Sequence, residues 1–264
     1  MTEPTLLSAA PLVTPASVMV ARNIVKDLGQ GAGAVRALKG VSLELRPGEL
    51  TLLMGPSGSG KTTLLSILGC ILAPTEGTLT LAGRSTAGLT PEALAELRRR
   101  HVGFIFQSYN LFPTLTAEEN VRLALDVRGE RGPDVVARAQ RALQQVGLGH
   151  RMKSYPGTMS GGEQQRVAVA RAIAGKPSVI LADEPTAALD SANGSAVMEL
   201  LSEVATGAQH AVLAVTHDPR TMKYADRILK IEDGRIVGEE RRPDGVDTIH
   251  QISRGKKRKT DAPT

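Results

Sequence analysis

Gly55, Pro56, Ser57, Gly58, Ser59, Gly60, Lys61, Thr62 and Thr63 place three glycines, a lysine and adjacent hydroxyls at the spacing of a phosphate-binding loop. Glycines let the backbone curl tightly enough for successive N–H groups to face one anion. Lys61 then reaches the β- and γ-phosphates as a point charge, and the Thr62 hydroxyl suits Mg²⁺. The flanks agree: an apolar run over 50–54 suits a buried strand, and the apolar residues from Leu64 onward continue into a helix. A phosphate in the loop would therefore sit at the positive end of that helix. Nucleotide binding is the reading that follows, in preference to a Gly/Ser turn that happens to precede a lysine.

Two further groups belong to the same chemistry. Asp183 and Glu184 follow the apolar residues Val179–Ala182, at the strand end where ligands of open α/β sheets bind. Asp183 suits holding Mg²⁺, directly or through water, and Glu184 suits polarising a water for in-line attack on a γ-phosphate. His217 ends a second apolar run, Ala211–Val215, with Thr216 and Asp218 beside it, and is read as a γ-phosphate contact. Ser160, Gly161, Gly162 and Glu163 form a different motif. Ser160 and Glu163 make a capping box, a purely structural device, but two first-turn glycines cost about 1 kcal/mol each relative to alanine. The expectation is that they clear the helix end for a second anion, delivered from elsewhere.

The elements that must hold these groups can be read in outline. Val18–Ile24, Val41–Leu45 and Thr78–Ala82 predict strands of a small antiparallel sheet. Thr90 followed by Pro91 starts a helix that ends in Arg98, Arg99 and Arg100, and His101–Gln107 predicts a strand. Thr116 and Glu119 form another capping box, and helices are predicted over Asp134–Val146, Ser160–Ala174 and roughly Ala192–Ala205. The runs at Val179 and Ala211 have the continuous apolarity of parallel strands, and Asp233-Gly234 marks a hairpin between Arg227–Ile231 and Arg235–Gly238. Strands alternating with helices predict an α/β protein with one nucleotide-binding unit and no internal repeat.

With 41% apolar and 22% charged residues, the 264-residue chain can bury a real core and is not disordered overall. Of the net +5, five cations against Asp261 fall within 254–264, so the remainder is nearly neutral. That argues against a nucleic-acid surface and makes 241–264 a basic flexible tail, with 1–16 a loose Ala/Pro/Ser/Thr extension. No run approaches the roughly 18 residues needed to span a bilayer, and no basic residue precedes Arg22 as a secretory signal requires, so a cytoplasmic location is expected. The single cysteine, Cys70, reads as a small buried hydrophobe.

Taken in order, Gly55–Thr63, Gln107, Met159–Gln164, Val179–Glu184, Asp190 and His217 resemble the ATP-binding cassette (ABC) ATPases across about residues 17–240. The resemblance implies a P-loop ATPase core with an antiparallel β subdomain and an α-helical subdomain over about 113–172. It implies ATP and Mg²⁺ as cofactors and a homodimer sandwiching two ATP molecules, in which each Ser160–Glu163 helix end meets the γ-phosphate held by the partner's loop. It further implies that Gln107 senses Mg²⁺ and the γ-phosphate and links to a membrane subunit, that Asp190 acts across the dimer, and that His217 is the switch histidine. Residues Gly103–Val121 and Leu181–Asp190 resemble the macrolide-exporter and lipoprotein-releasing branch (MacB/LolD type, with the related DevA exporters), which implies a separate membrane permease and a peripheral position on the cytoplasmic face. A soluble ABC-type ATPase without a membrane partner is the alternative.

Four of the six aromatics, Phe104, Phe106, Tyr109 and Phe112, crowd one stretch. Core packing is expected for the first two and an interface for Tyr109 and Phe112. Three positions depart from the family pattern. Met159 and Glu163 replace the usual Leu and Gln with residues of like character, and Leu28 stands near where the family stacks adenine on an aromatic. Loss of stacking predicts base binding weaker by about 1–3 kcal/mol.

Overall fold

The computed structural model describes residues 17–29, 33–208 and 210–242. The expectations for the 1–16 extension and most of the 241–264 tail lie outside these residues.

Two sheets enclose one helix. The first strand, β1 (Met19–Leu28), pairs antiparallel with β2 (Val35–Leu45) on one side and β4 (Glu76–Leu81) on the other, and the two-residue β5 (Arg84–Ser85) closes the edge. Both β1 and β2 run further toward Gly29 than the apolar pattern predicts, because the pairing of Asp27 with Arg36 and Leu28 with Val35 extends the ladder past its buried part. Strand β3 (Leu50–Met54) belongs to the other sheet. It leads into the glycine loop and α1 (Lys61–Leu68), which lies between the sheets with Leu64, Leu65, Ile67 and Leu68 buried.

The second sheet has six strands in the order β10-β9-β3-β8-β7-β6, formed by β6 (Val102–Ile105), β7 (Val179–Asp183), β8 (Ala211–Thr216), β9 (Arg227–Glu232) and β10 (Arg235–Arg241) with β3. All neighbours are parallel except the β9–β10 hairpin. The continuous apolar runs are explained by burial on both faces. Along β7, Val179 and Leu181 face α1 and the first sheet, whereas Ile180 and Ala182 face the helices beyond. Those helices are α3 (Ala117–Val127), α4 (Asp134–Gln145), α5 (Gly161–Ile173) and α6 (Ser191–Ala208); α3, α4 and α5 pack on one another and form the expected helical region. Helix α2 (Pro91–His101) leads directly into β6, capped by Thr90 as the sequence predicts.

Strand β6 ends at Ile105, two residues before the predicted Gln107. Pairing with β7 ends at Ile105 opposite Ala182, and Phe106 and Gln107 lead into a turn in which Tyr109 and Asn110 are left-handed at φ 60° and 49°. Cys70 is buried as expected, and burial pushes its thiol pKa up. No helix among the described residues is long and apolar enough to cross a membrane.

Candidate nucleotide site

The loop between β3 and α1 is folded by its glycines. Gly58 and Gly60 hold φ of 80° and 97°, a region in which an L side chain is strained. A Cβ at Gly60 would also stand 2.7 Å from the Ala37 carbonyl oxygen. The β9–β10 turn supports the loop from outside, since the Gly234 N–H donates to the Ser59 carbonyl at 3.1 Å. Lys61 Nζ donates to the carbonyls of Gly55 and Pro56 at 2.8 Å each, which aims the ammonium across the mouth of the loop. Among the described residues, the N–H groups of Gly58, Gly60, Lys61 and Thr62 donate to no protein acceptor, and the buried Ser59 Oγ has no partner. A cluster of free donors around a lysine, at the start of a helix, fits a polyphosphate.

Parallel pairing brings the second chemical group beside the first. Strands β3, β8 and β7 are adjacent, so their carboxyl ends carry the loop, Thr216-His217 and Asp183-Glu184 to one edge. Asp183 lies near enough to Lys61 to feel its charge. Burial raises the Asp183 carboxyl pKa, Glu184 raises it further, and Lys61 opposes both. Glu184 is left-handed at φ 47°, pinned by its own N–H donating to the Val215 carbonyl at 3.0 Å. Its Oε1 lies 2.8 Å from His217 Nδ1, so that ring nitrogen carries the proton and donates it to the carboxylate. A carboxylate fixed in an otherwise costly backbone conformation and oriented by a histidine is suited to positioning a water.

Gln107 is exposed on the loop after β6, without a hydrogen bond to any described residue. Asp190 caps α6: its Oδ1 accepts from the N–H groups of Ala192 and Asn193 at 3.0 and 2.9 Å. Backbone donation from Asn193 first, then its side chain, lowers the Asp190 pKa.

The predicted capping box at Ser160 is present, with Ser160 N–H donating to Glu163 Oε2 at 2.8 Å and Glu163 N–H donating to Ser160 Oγ at 3.2 Å. Arg151 grips the same carboxylate at 3.0 Å. Donation from the Ser160 backbone, then Arg151, holds the Glu163 pKa low against a burial effect of opposite sign. The glycines have a reason the sequence did not disclose. A Cβ on Gly162 would collide with the Asn193 side chain, and one on Gly161 would sit 2.9 Å from Tyr109 Oη. Gly162 is buried. Internal packing therefore favours glycine at 162 in addition to the clearance for an anion that the sequence suggested; Gly161 is only half-buried. None of the hydrogen bonds made by Ser160–Glu163 reaches the phosphate loop.

The same arrangement is found in known proteins. A family model described as ABC transporter matches residues 38–187. The chain belongs to the ABC transporter family. It resembles the macrolide export ATP-binding/permease protein MacB 1 of Aeromonas hydrophila, 47% identical over 220 residues, covering 83% of this chain and 34% of that protein. MacB of Escherichia coli K12 is 44% identical over 229 residues, covering 87% and 35%. The chain thus spans about a third of the length of the curated relatives it matches. A solved dimer of the cassette MJ0796 bound to ADP and Pi superposes with TM-score 0.77 at 40% identity, covering 84% of this chain and 98% of that one. CbiO1 from Clostridium perfringens, part of a cbiONQ transporter complex, superposes with TM-score 0.77 at 25% identity, covering 85% and 88%. The fold is that of the ABC ATPases.

Several residues that organise the ABC cassette carried no sequence signal. Gln165, fully buried on α5, donates its Nε2 to the Pro185 carbonyl at 2.9 Å and so ties that helix to the Glu184 turn. Arg171, also on α5, donates to the carbonyls of Asn110 and, at 2.7 Å, Tyr109, holding the loop that carries Gln107. Tyr109, expected at an interface, is half-buried with its hydroxyl against Gly161. Phe104 packs on the core as expected, and its ring forbids any side chain at Gly69. Phe106 stacks on Phe104 with ring centres 5.5 Å apart.

Proposed function

We propose that this cassette works as a homodimer that closes on two ATP molecules and drives a membrane permease carried on a separate chain, in a transporter of the macrolide-exporter or lipoprotein-releasing type. One observation carries the dimer: two clusters of free backbone donors, at Gly58 with Gly60–Thr62 and at Gly161–Gly162, are joined by no hydrogen bond among the described residues. Each cluster fits phosphate, and a second copy offers the complementary one. The MJ0796 cassette was solved as a dimer bound to ADP and Pi, which supports this reading.

Within the closed site, Lys61 and the loop N–H groups would hold the β- and γ-phosphates, and Ser160 with Gly161 and Gly162 would meet the γ-phosphate from the partner copy. Glu184 would orient the attacking water and accept its proton, with His217 holding the carboxylate and contacting the γ-phosphate. Asp190 would act across the dimer from the start of α6. Thr62, Asp183 and Gln107 would hold Mg²⁺, which would supply positive charge to the phosphate oxygens.

A permease is favoured over a soluble role by the surface beside Gln107. Phe112 is 51% exposed and Val127 63%, and with Phe106 they border a cavity of about 600 Å³ between α2, β6 and α3. Exposed large apolar side chains around a concavity suit a docking partner. A permease partner would hold the chain at the cytoplasmic face of a membrane. The test is recovery in mild detergent of the Glu184→Gln variant with ATP. A distinct integral membrane polypeptide in the complex is the expected result. Recovery of a dimer with soluble partners only would leave the ATPase and remove the permease.

A further inference from the structure

Among the described residues, the segment from Glu184 to Asp190 is joined to α5 by one hydrogen bond, the one that Gln165 Nε2 donates to the Pro185 carbonyl at 2.9 Å. The acceptor belongs to the residue after Glu184. On its other side Glu184 is fixed by its own N–H on the Val215 carbonyl at 3.0 Å, and its carbonyl accepts from the Ala187 N–H at 3.2 Å. The left-handed φ of 47° at Glu184 is therefore enclosed between two anchors, a strand neighbour before it and a side chain of α5 after it. A residue in so sparsely populated a conformation keeps it only where its surroundings over-determine it.

Gln165 makes this contact at a disadvantage. It is fully buried, yet its Oε1 accepts from no described residue. A buried amide with an idle acceptor has given up the hydration of that oxygen, and fixing a long side chain costs rotamer freedom. An unbranched apolar side chain of about the same length would remove the idle oxygen and leave the Pro185 carbonyl idle in its place, so the fold gains little from glutamine here. From this we infer that Gln165 is a positioning residue for hydrolysis. By holding the Pro185 carbonyl it sets the turn that carries the Glu184 carboxylate and its 2.8 Å contact with His217 Nδ1. Being fully buried, it touches no nucleotide itself. The inference rests on the reading of Glu184 as the base and adds the residue that fixes it.

The test uses the purified full chain and labelled ATP. Gln165→Met loses the hydrogen bond and should lower kcat about tenfold, while the KM for ATP stays within about twofold and the melting temperature within about 4 °C. A side chain that served only packing would move stability and leave that split unmade. The second arm combines Gln165→Met with Glu184→Gln. Because Gln165 acts only through Glu184, the double variant should turn ATP over as slowly as Glu184→Gln alone, with no further loss. An unchanged kcat, a loss confined to KM, or a further loss of about tenfold in the double variant would overturn the inference. So would failure of Gln165→Met to fold, or a melting temperature lowered by more than the stated margin, because either would make Gln165 a residue of stability. If Glu184→Gln by itself turns ATP over at the original rate, the reading of Glu184 as the base fails and the inference falls with it.

Discussion

Helices α3 and α5 begin with the same device and use it differently. Thr116 with Glu119 and Ser160 with Glu163 each complete both halves of a capping box. Beyond the cap the two ends diverge. In α3 the next two N–H groups are consumed internally: Ala117 donates to Ser154 O at 2.9 Å and Glu118 to Met152 O at 3.0 Å, and both residues are buried. In α5 the corresponding N–H groups of Gly161 and Gly162 donate to no acceptor among the described residues. One helix end is finished within the chain and the other is left with donors to offer. A capping box marks where a helix starts; its surroundings determine whether that start is structural or can receive an anion.

The largest effect expected from this contrast comes from stopping the reaction while keeping ATP bound. Glu184→Gln should lower ATP turnover by about 10²–10⁴-fold, the usual worth of a general base, and size-exclusion chromatography with ATP should then show a dimer. A monomer under those conditions would remove the role given to the α5 end.

Next in size is a matched pair of cap deletions. Ser160→Ala and Thr116→Ala should each cost about 1 kcal/mol in urea unfolding. Only Ser160→Ala should also weaken ATP-dependent dimerisation and turnover, by about tenfold, which corresponds to losing one charge-assisted hydrogen bond. Equal losses of activity from both would mean that the two ends do not differ as described.

The phosphate-loop edge offers a pH test. Asp183 is raised by burial and by Glu184, so the folded state holds its proton more tightly than the unfolded chain does. Its contribution therefore favours folding at low pH and is lost as pH rises through the range between its unfolded and folded values. Without nucleotide, Asp183→Asn should melt higher than the wild type near neutral pH, and the gap should close in acid. The same variant should lose Mg²⁺-dependent tightening of ATP binding. A lower melting temperature at neutral pH would contradict the assigned electrostatics.

The smallest effect concerns the base. Leu28 is 40% exposed and lies opposite Val35 at the open end of the β1–β2 ladder, an aliphatic surface where stacking would need a ring. Leu28→Tyr should tighten nucleotide binding by about 1 kcal/mol, roughly fivefold, measured by calorimetry. Unchanged affinity would place the base elsewhere.

Much of the machinery was legible because its signals are local. The loop glycines, both capping boxes and the Thr90 helix start act within a single turn, so neighbouring residues suffice to specify them. The Asp233-Gly234 hairpin signal works the same way, and the structure adds a second use: that turn holds the phosphate loop through Ser59. Continuous apolar runs likewise announced strands buried on both faces. Less was legible wherever a residue answers to something distant in the chain. Nothing near Gly162 announces Asn193, nothing near Arg171 announces the carbonyls of Tyr109 and Asn110, and the early end of β6 follows from where its pairing with β7 stops.

The sequence by itself determined the chemistry: a lysine and glycines for phosphate, two carboxylates and a histidine at strand ends, and a second helix start rich in glycine. Those are properties of residue type and short spacing. The tertiary structure decided which of them meet. Parallel neighbours β3, β8 and β7 bring Lys61, His217 and Glu184 to one edge, because strand order is set by burial on two faces and not by chain order. The same packing leaves the Gly161 and Gly162 N–H groups without an acceptor among the described residues and surrounds an apolar cavity with arginines drawn from α2, α5 and the turn after α3. Such juxtapositions join residues far apart in the chain, and no local pattern encodes them.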